Sequence, residues 1–531
     1  MTSFSSSSGA SSSRLALAGL ILAVSMTTID QTIVALSAPT IQQNLGLSHD
    51  GMQWAVNVYL LATAAFFLLG GRIADVVGHK RMALIGIAGF GITSLLCGLA
   101  PTGDLAEPWL VAARALQGIS GAIMFPAAIG IVVEGFARES RGRAMAIFFA
   151  ITGAMTALGP IAGGYLTQWT WRAIFWVNVP IAIAAFVIVA IAARPSTARR
   201  ERIDWVGALV VAAGMGLIVF GLQQASPWGW ASPAVLGSLV AGVALIVVFV
   251  LLQRRAAQPL VQLAAFRDRG FTLSTLATLF SSVAFIGTFF FLSVYGQVSL
   301  GLSAGLTGVL FLKFFIGFVV ASRVGSVRFD KYGARGVVLA GGLVGAVGFA
   351  WLALKATDLD FDAESFFNQQ TWPIMIAGAG IGLMFSAVST DAVNRAIGAS
   401  YGEVTAISQT MKNFGGALGL AVFTTIVTSR LTDLLTASFE KIGGTAADAQ
   451  GAVDRISGAS GDGGSLAKLP TAVRDQIMHA VASDYAGAVQ WAFWGMAGAM
   501  LIVAVIGVLY PAGRTSVAEA SSAEAERAAT V

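Results

Sequence analysis

Charged residues are scarce in this sequence: Asp, Glu, Lys and Arg make up 11% of its 531 residues, against about 25% in an ordinary soluble protein. Hydrophobic residues make up 56%, and they recur almost end to end in blocks long enough to cross a bilayer. A soluble fold of this composition would have too little polar material for its surface. The scarcity of charge therefore predicts a polytopic integral membrane protein.

Metal ligands and phosphate-binding loops are also missing. The chain has one cysteine, Cys97, and three scattered histidines, His49, His79 and His479, which form no ligand pattern. It contains no G-x-x-x-x-G-K-[ST] loop to hold a nucleotide. The formal charge of +5 lies in short loops between apolar blocks, so we expect no nucleic-acid partner. These absences argue against an enzyme and predict an energy source outside the chain.

Blocks of about 20 apolar residues predict fourteen spans. We place them near 15–36, 53–70, 82–100, 109–133, 144–166, 173–193, 205–224, 233–252, 272–296, 303–322, 337–354, 372–390, 404–428 and 485–510. The first block is longer than the roughly 7–15 apolar residues of a signal peptide, so we interpret it as a retained span.

Basic residues set the orientation. Most Lys and Arg residues fall in the loops that share a side with the termini, which predicts cytosolic termini. The long outer segment, 429–484, is interpreted as a flexible loop or a small hairpin in which 480–485 extend the last helix. The predicted organisation is a cytosolic tail at 1–14, a six-helix bundle at 15–193, two inserted helices with their cytosolic loops at 194–271, a second six-helix bundle at 272–510, and a disordered cytosolic tail at 511–531.

An internal repeat points to a transporter. Asp75-x-x-Gly78 is followed by Lys80 in the loop after span two, and Asp330-x-x-Gly333 is followed by Arg335 in the loop after span ten. In both copies the cation comes five residues after the Asp. Repeated halves of this kind are typical of secondary transporters.

Together with these loops, four ordered segments resemble the major facilitator superfamily, specifically its fourteen-span drug:proton antiporters. The segments are Asp30-Gln-Thr32-Ile33-Val34 in span one, Arg114-Ala-Leu-Gln117-Gly118 in span four, Gly159-Pro160-Ile-Ala-Gly163-Gly164 in span five, and Trp171-Arg172 with Phe175, Asn178 and Pro180 at span six. The resemblance covers nearly the whole chain.

The resemblance implies an all-α major facilitator fold, with two six-helix bundles and two inserted helices. It implies a proton-driven exporter of small organic compounds, such as drugs, that works by alternating access. Its partners are then the small-molecule substrate, protons and membrane lipids; we expect a monomer in the cell membrane, in bacteria the inner membrane. The proton gradient replaces a cofactor. An exporter of an endogenous metabolite or lipid stays an alternative, and a membrane enzyme or receptor is the alternative of another class.

Asp30 and Arg114 are the candidate proton-coupling pair. Asp30 lies about 22 Å from the inner face and Arg114 about 8 Å below the outer face, at 1.5 Å per helical residue. In a core about 30 Å thick these depths coincide. Gln117, one turn from Arg114, is the polar helper and a candidate cavity residue. The alternative is a static ion pair that fixes helix packing.

Two further groups complete the candidate sites. The cytosolic gate comprises Gly71, Asp75, Gly78, Lys80, Arg81, Arg141, Arg143, Asp330 and Arg335, with simple positive-inside anchoring as the alternative. The antiporter motif comprises Gly159, Pro160, Gly163 and Gly164, which we expect to let spans pack closely and bend.

The candidate substrate cavity comprises Gln117, Lys313, Gln409, Lys412 and Asn413. Lys313 and Lys412 fall near the bilayer midplane, where transporter sites usually lie, although either lysine can instead pair with backbone carbonyls at a helix contact. The spans hold three cations and one acid, Asp30. We therefore expect a preference for neutral, zwitterionic or anionic cargo, tolerance of lipophilic monocations, and poor handling of dications.

Overall fold

The computed structural model describes residues 5–136, 144, 147–148, 151–152, 155, 159, 162–195, 204–256, 259–360, 365–395, 401–441, 451 and 471–511. Within these residues, thirteen helical segments are long and apolar enough to cross a membrane. Their helices are α1 (Ser5–Leu45), α2 (His49–Val77), α3 (His79–Gly98), α4 (Ala106–Gly135), α5 (Asn178–Ala192), α6 (Trp205–Trp228), α7 (Pro233–Arg255), α8 (Arg269–Val294), α9 (Ala304–Tyr332), α10 (Ala334–Lys355), α11 (Thr371–Arg395), α12 (Tyr401–Lys441) and α13 (Thr471–Leu509).

Three short helical segments adjoin these helices: Ala173–Trp176 precedes α5, Leu263–Arg267 precedes α8, and Tyr295–Ser299 follows α8. The predicted fifth span, 144–166, falls largely outside the described residues. Fourteen spans and cytosolic termini therefore stay predictions.

Polar side chains begin several helices. The side chains of Ser48, Asp204 and Asp268 accept hydrogen bonds from backbone N–H groups three residues later, at 2.7–2.8 Å. Each bond satisfies an N–H group that the first helical turn leaves without a partner. The remaining backbone N–H and C=O groups of these spans are hydrogen-bonded within the helix, because the hydrocarbon core of a bilayer offers them no other partner.

The two predicted cytosolic loops 71–81 and 323–336 are mostly helix, which corrects the sequence interpretation. Helix α2 continues to Val77 and α3 begins at His79, while α9 and α10 flank Gly333. Gly78 has a φ of 106° and Gly333 a φ of 81°, a backbone conformation that favours glycine. Both copies of the D-x-x-G repeat thus end a helix with the same one-residue turn.

The predicted outer loop 429–484 is helical at both ends. Helix α12 runs on to Lys441 and α13 begins at Thr471. Leu431, Leu435 and Phe439 recur every four residues and are buried, as is Tyr485 on α13. This apolar stripe holds the extensions together beyond the span, so the helical extension is longer than the predicted 480–485. Residues 442–450 and 452–470 lie outside the described part.

The helices pack as two halves with the inserted pair at their side. In the first half α4 packs against α2 and α3, and α5 packs against α1 and α3; in the second, α8 packs against α12 and α13, and α11 against α9 and α10. The halves meet where α2 contacts α12 and where α1 contacts α8. Helix α6 contacts both α2 and α12, whereas α7 packs mainly on α6. The candidate site lies along the contact between the halves.

Candidate functional site

Asp30 on α1 and Arg114 on α4 form a buried ion pair. The Arg114 guanidinium binds Asp30 Oδ2, and Gln117 Nε2 donates to Asp30 Oδ1 at 3.0 Å. Arg114 Nη1 also donates to Gln117 Oε1 at 2.8 Å. The three side chains are at most 1% exposed. The structure therefore brings together the pair that the depth argument matched, and both carboxylate oxygens are bonded.

Further side chains support this pair from three other helices. Arg114 Nε donates to the Ala55 carbonyl at 3.1 Å, and its guanidinium lies 4.3 Å from the centre of the Tyr59 ring. Ser94 accepts hydrogen bonds from Gln117 at 3.3 Å and from Asn178 at 3.0 Å. The sequence analysis did not assign Tyr59, Ser94 or Asn178 to the site. Because Tyr59 and Ser94 are neutral, their only signal was polarity within apolar spans, whereas Asn178 also belongs to the motif at span six.

Glycines of the antiporter motif lie directly against α1. A Cβ on Gly159 would come 1.9 Å from Thr32 Oγ1, and one on Gly163 would come 2.7 Å from Ile33 Cγ1. Only glycine allows this close approach beside the turn that carries Asp30. Gly164 is buried. Pro160 lies outside the described residues.

The predicted gate residues divide among several environments. His79 Nε2 lies 3.5 Å from Asp75 and 3.4 Å from Glu134 on α4, so the histidine joins two helix ends. Lys80 Nζ donates to the carbonyls of Ala190 and Ala193 at 2.8 and 2.7 Å, which caps the end of α5.

The other gate residues are less enclosed. Gly71 is half-buried, while Arg81, Asp330 and Arg335 are exposed. Arg141 and Arg143 lie outside the described residues. The structure thus ties Asp75 to the first half, and it places Asp330 and Arg335 on the surface of the second.

The cavity residues on α12 face two directions. Asn413 Oδ1 accepts a hydrogen bond from Gln31 Nε2 at 3.4 Å, which links the two halves next to Asp30. Lys412 turns into the second half, with Nζ 5.9 Å from the ring centres of both Phe285 and Phe385. Gln409 is half-buried one turn earlier. The Asn413 side of α12 thus reaches the first half, whereas Lys412 lies among rings.

Two predicted cavity residues lie elsewhere. Gln117 belongs to the Asp30 cluster. Lys313 on α9 is 1% exposed, and its Nζ lies 5.2 Å from the centre of the Phe366 ring. Phe366 belongs to the segment between α10 and α11. Lys313 is therefore directed toward one end of the second half.

A second buried carboxylate, Asp391, corrects the expectation that Asp30 is the only one in the spans. Arg395 Nε and Tyr510 Oη each donate to Asp391 Oδ2 at 2.6 Å. Tyr510 Oη also lies 2.7 Å from Ser274 Oγ, and Arg395 Nη1 lies 3.8 Å from Asp268. This cluster ties α8, α11 and the end of α13 together. Sequence analysis missed it because the predicted span ended at 390, whereas α11 continues to Arg395.

Comparison with known proteins identifies the family. A family model described as "Major Facilitator Superfamily" matches residues 20–420. The chain belongs to the major facilitator superfamily. As a member of this superfamily it is a multi-pass membrane transporter of small molecules, not an enzyme.

The relatives within the superfamily include named exporters. The chain is 32% identical over 421 residues to the tetracenomycin C resistance and export protein of Streptomyces glaucescens, covering 79% of this chain and 76% of the relative. It is 34% identical to the puromycin resistance protein of Streptomyces alboniger, covering 77% and 80%. Multidrug resistance protein 3 of Bacillus subtilis is 28% identical, with 89% and 91% covered. These relatives confirm the resemblance to drug antiporters of the major facilitator superfamily.

Solved structures confirm the fold. A bacterial homologue of the human lysosomal transporter Spinster, in an inward-facing and unoccupied conformation, aligns with a TM-score of 0.59 at 15% identity, covering 94% of this chain and 97% of the other. A D-xylose–proton symporter aligns with a TM-score of 0.53 at 11% identity, covering 94% and 98%. At these identities the match concerns the major facilitator fold alone, and it confirms the predicted all-α membrane architecture.

Proposed function

We propose that this protein exports small organic compounds across the cell membrane of a bacterium in exchange for protons, by alternating access between its two six-helix halves. The observation that carries the proposal is the buried Asp30–Arg114 pair within a major facilitator transporter. A buried ionisable residue at membrane depth costs at least about 2.5–3.5 kcal/mol on insertion scales, so it is retained where it has a role. The names of the bacterial relatives support export.

The pair offers a simple way to couple protons to cargo. When Asp30 is ionised, Arg114 and Gln117 hold its two oxygens and join α1 to α4. A proton on Asp30 removes the charge that Arg114 binds, so the contact between these helices weakens. Loading the proton from outside and releasing it to the cytosol then biases the two conformations in turn. The proton gradient supplies the energy, and no cofactor takes part.

Contacts at the cytosolic ends supply the gate. Asp75, His79 and Glu134 join helix ends of the first half through partly exposed charge contacts. Charge contacts of this kind hold one access state and are exchanged in the other. We propose that the gate residues of the two D-x-x-G turns act in this way.

The test is Asp30→Asn in proteoliposomes with an imposed pH gradient and puromycin as the cargo. We expect the variant to lose concentrative uptake, because Asn cannot carry the proton, while it still exchanges labelled puromycin across the membrane at equilibrium. The shape of the side chain and its bond to Gln117 are preserved, but Arg114 loses its counter-charge, so folding of the variant is checked by its gel-filtration profile in detergent.

Asp104→Asn is the matched control, since Asp104 is an exposed carboxylate between α3 and α4. It should transport like the wild type. Concentration of puromycin against its gradient by Asp30→Asn would show that the proton path runs elsewhere.

A further inference from the structure

Lys412 in the second half is a buried cation beside aromatic rings. Its ammonium is on a side chain that is 9% exposed, and among the described residues no carboxylate forms an ion pair with it. Among the other buried cations, Arg114 and Arg395 each bind an aspartate, and Lys313 lies beside the Phe366 ring at the end of the second half. Because the charge of Lys412 is not neutralised by the described part of the chain, the site favours an anion.

Aromatic rings line the same place. Phe285 on α8, Phe318 on α9 and Phe385 on α11 form an aromatic triad whose ring centres are 5.4–6.5 Å apart. Lys412 Nζ is within 6 Å of two of these rings, a distance at which ring faces attract a cation. That attraction stabilises the ammonium only in part, since cation–π contacts contribute less than a buried charge costs.

The triad also leaves surface for a ligand. Phe385 is half-buried, in contrast to Phe285 and Phe318, which are 6% exposed. Ser408 and Gln409, one turn before Lys412, are half-buried as well. Polar side chains at lipid depth face protein or water, so this part of α12 faces the interior, next to the Gln31–Asn413 contact between the halves.

We propose that Lys412 and the aromatic triad bind planar aromatic molecules that carry one negative charge. The acidic group lies against the Lys412 ammonium, and the ring system stacks on Phe385. This site names one cargo class for the export function proposed above and rests on that function. Phe285, Phe318 and Phe385 then set the preference for a flat ring, while Lys412 sets the preference for charge.

Equilibrium dialysis on the full-length protein in nanodiscs, without a pH gradient, tests the site. The probes are 2-naphthoate, its neutral isostere 2-naphthamide, and the non-aromatic anion decahydro-2-naphthoate. The wild type should bind 2-naphthoate most tightly. Lys412→Gln should weaken 2-naphthoate about tenfold or more, as loss of a charge-assisted bond does, and should leave 2-naphthamide within about twofold.

Three more variants make the result specific. Phe385→Leu should weaken both naphthyl probes several-fold but not decahydro-2-naphthoate, because offset ring contacts are lost. Lys412→Arg keeps the charge and should retain binding of both anions. Lys355→Gln removes an exposed lysine that pairs with Asp358 at 3.5 Å, and it should bind all three probes as the wild type does.

The outcomes separate this site from the export function. Equal binding of 2-naphthoate and 2-naphthamide by the wild type, or unchanged 2-naphthoate binding in folded Lys412→Gln, would overturn the site even if protons drive puromycin transport. Lys412-dependent binding in a protein whose transport ignores the pH gradient would leave the site standing and remove the coupling.

Discussion

Two buried cations, Arg114 in the first half of this transporter and Lys412 in the second, have different surroundings. In the first half Asp30 and Arg114 neutralise each other, and neutral polar groups from neighbouring helices complete their bonds. In the second half Lys412 lies among phenylalanine rings without a described carboxylate. A neutralised pair responds to a proton, whereas an ammonium that lacks a counter-charge responds to an anion. The contrast suggests that the first half handles protons and the second handles cargo.

A similar contrast holds for the carboxylates at the helix ends that are predicted to be cytosolic. Asp391 is 1% exposed and bonds Arg395 and Tyr510 at 2.6 Å. Asp75 is 30% exposed, and one of its partners is His79 at 3.5 Å. Because the Asp391 cluster is buried, we expect it to stay intact within the second half. The Asp75–His79 contact of the first half is partly exposed and therefore easier to exchange. Each of the following experiments breaks or sharpens one of these contrasts.

The largest effect is expected from Arg114→Gln. Removing one partner of a buried ion pair typically costs about 3–5 kcal/mol, because the other charge is left uncompensated. We expect a loss of this order in the free energy of unfolding, measured by denaturant titration in detergent. The double variant Asp30→Asn with Arg114→Gln should recover part of it, since no buried charge remains in the pair.

Arg430→Gln serves as the control for this experiment. Arg430 is exposed in the C-terminal part of α12, with its guanidinium 5.0 Å from the Trp491 ring centre. Exposed cation–π contacts contribute about 0.5–1 kcal/mol. If Arg114→Gln is no more costly than Arg430→Gln, the neutralised pair is not what stabilises the first half.

A smaller effect, different for the two carboxylates, is expected at the helix ends that are predicted to be cytosolic. Asp391→Asn should lower the free energy of unfolding by about 1.5–3 kcal/mol, the usual contribution of a hydrogen bond to a charged group. Asp75→Asn should cost less than about 1 kcal/mol, because its contact is exposed and long. It should instead impair transport by changing the balance of inward-open and outward-open states.

Cysteine labelling can report that balance. The native Cys97 is buried, so a single cysteine introduced as Ser293→Cys gives the signal. Ser293 is buried and donates to the Leu36 carbonyl at 3.0 Å, across the contact between the halves. We expect Asp75→Asn to change the labelling rate. An unchanged rate together with normal transport would reduce Asp75 to an ordinary surface residue.

The sequence predicted Asp30 and Arg114 as site residues but missed Tyr59, Ser94 and Asp391, each for a physical reason. The pairing of Asp30 with Arg114 follows from depth alone, because ionisable residues in spans are rare and helical rise fixes their height. Tyr59 and Ser94 are on other helices and neutral, so no pattern in the sequence indicated that their side chains point toward the pair. Asp391 lies one residue beyond the predicted span because hydropathy marks where apolar residues stop, whereas α11 continues to Arg395. The same cause hid the helical extensions of α12 and α13.

The smallest effect concerns the one described side-chain bond that joins the proton pair's turn to the cargo helix, from Gln31 to Asn413 at 3.4 Å. If the first half binds protons and the second half binds cargo, we expect this bond to couple the two binding events. Gln31→Ala and Asn413→Ala should each lower the number of protons moved per cargo molecule, and the double variant should behave like either single one. In a double-mutant cycle we expect an interaction free energy between Gln31 and Asn413 of about 0.5–1.5 kcal/mol, as for a typical hydrogen bond.

Thr410→Val is the matched comparison, since Thr410 donates to the Ala64 carbonyl across the same interface at 3.4 Å without touching Gln31. Gln31→Ala and Thr410→Val should add within about 0.3–0.5 kcal/mol, as independent sites do. If the free-energy effects of Gln31→Ala and Asn413→Ala add, the Gln31–Asn413 bond does not couple protons to cargo. The coupling between the halves would then run through helix packing.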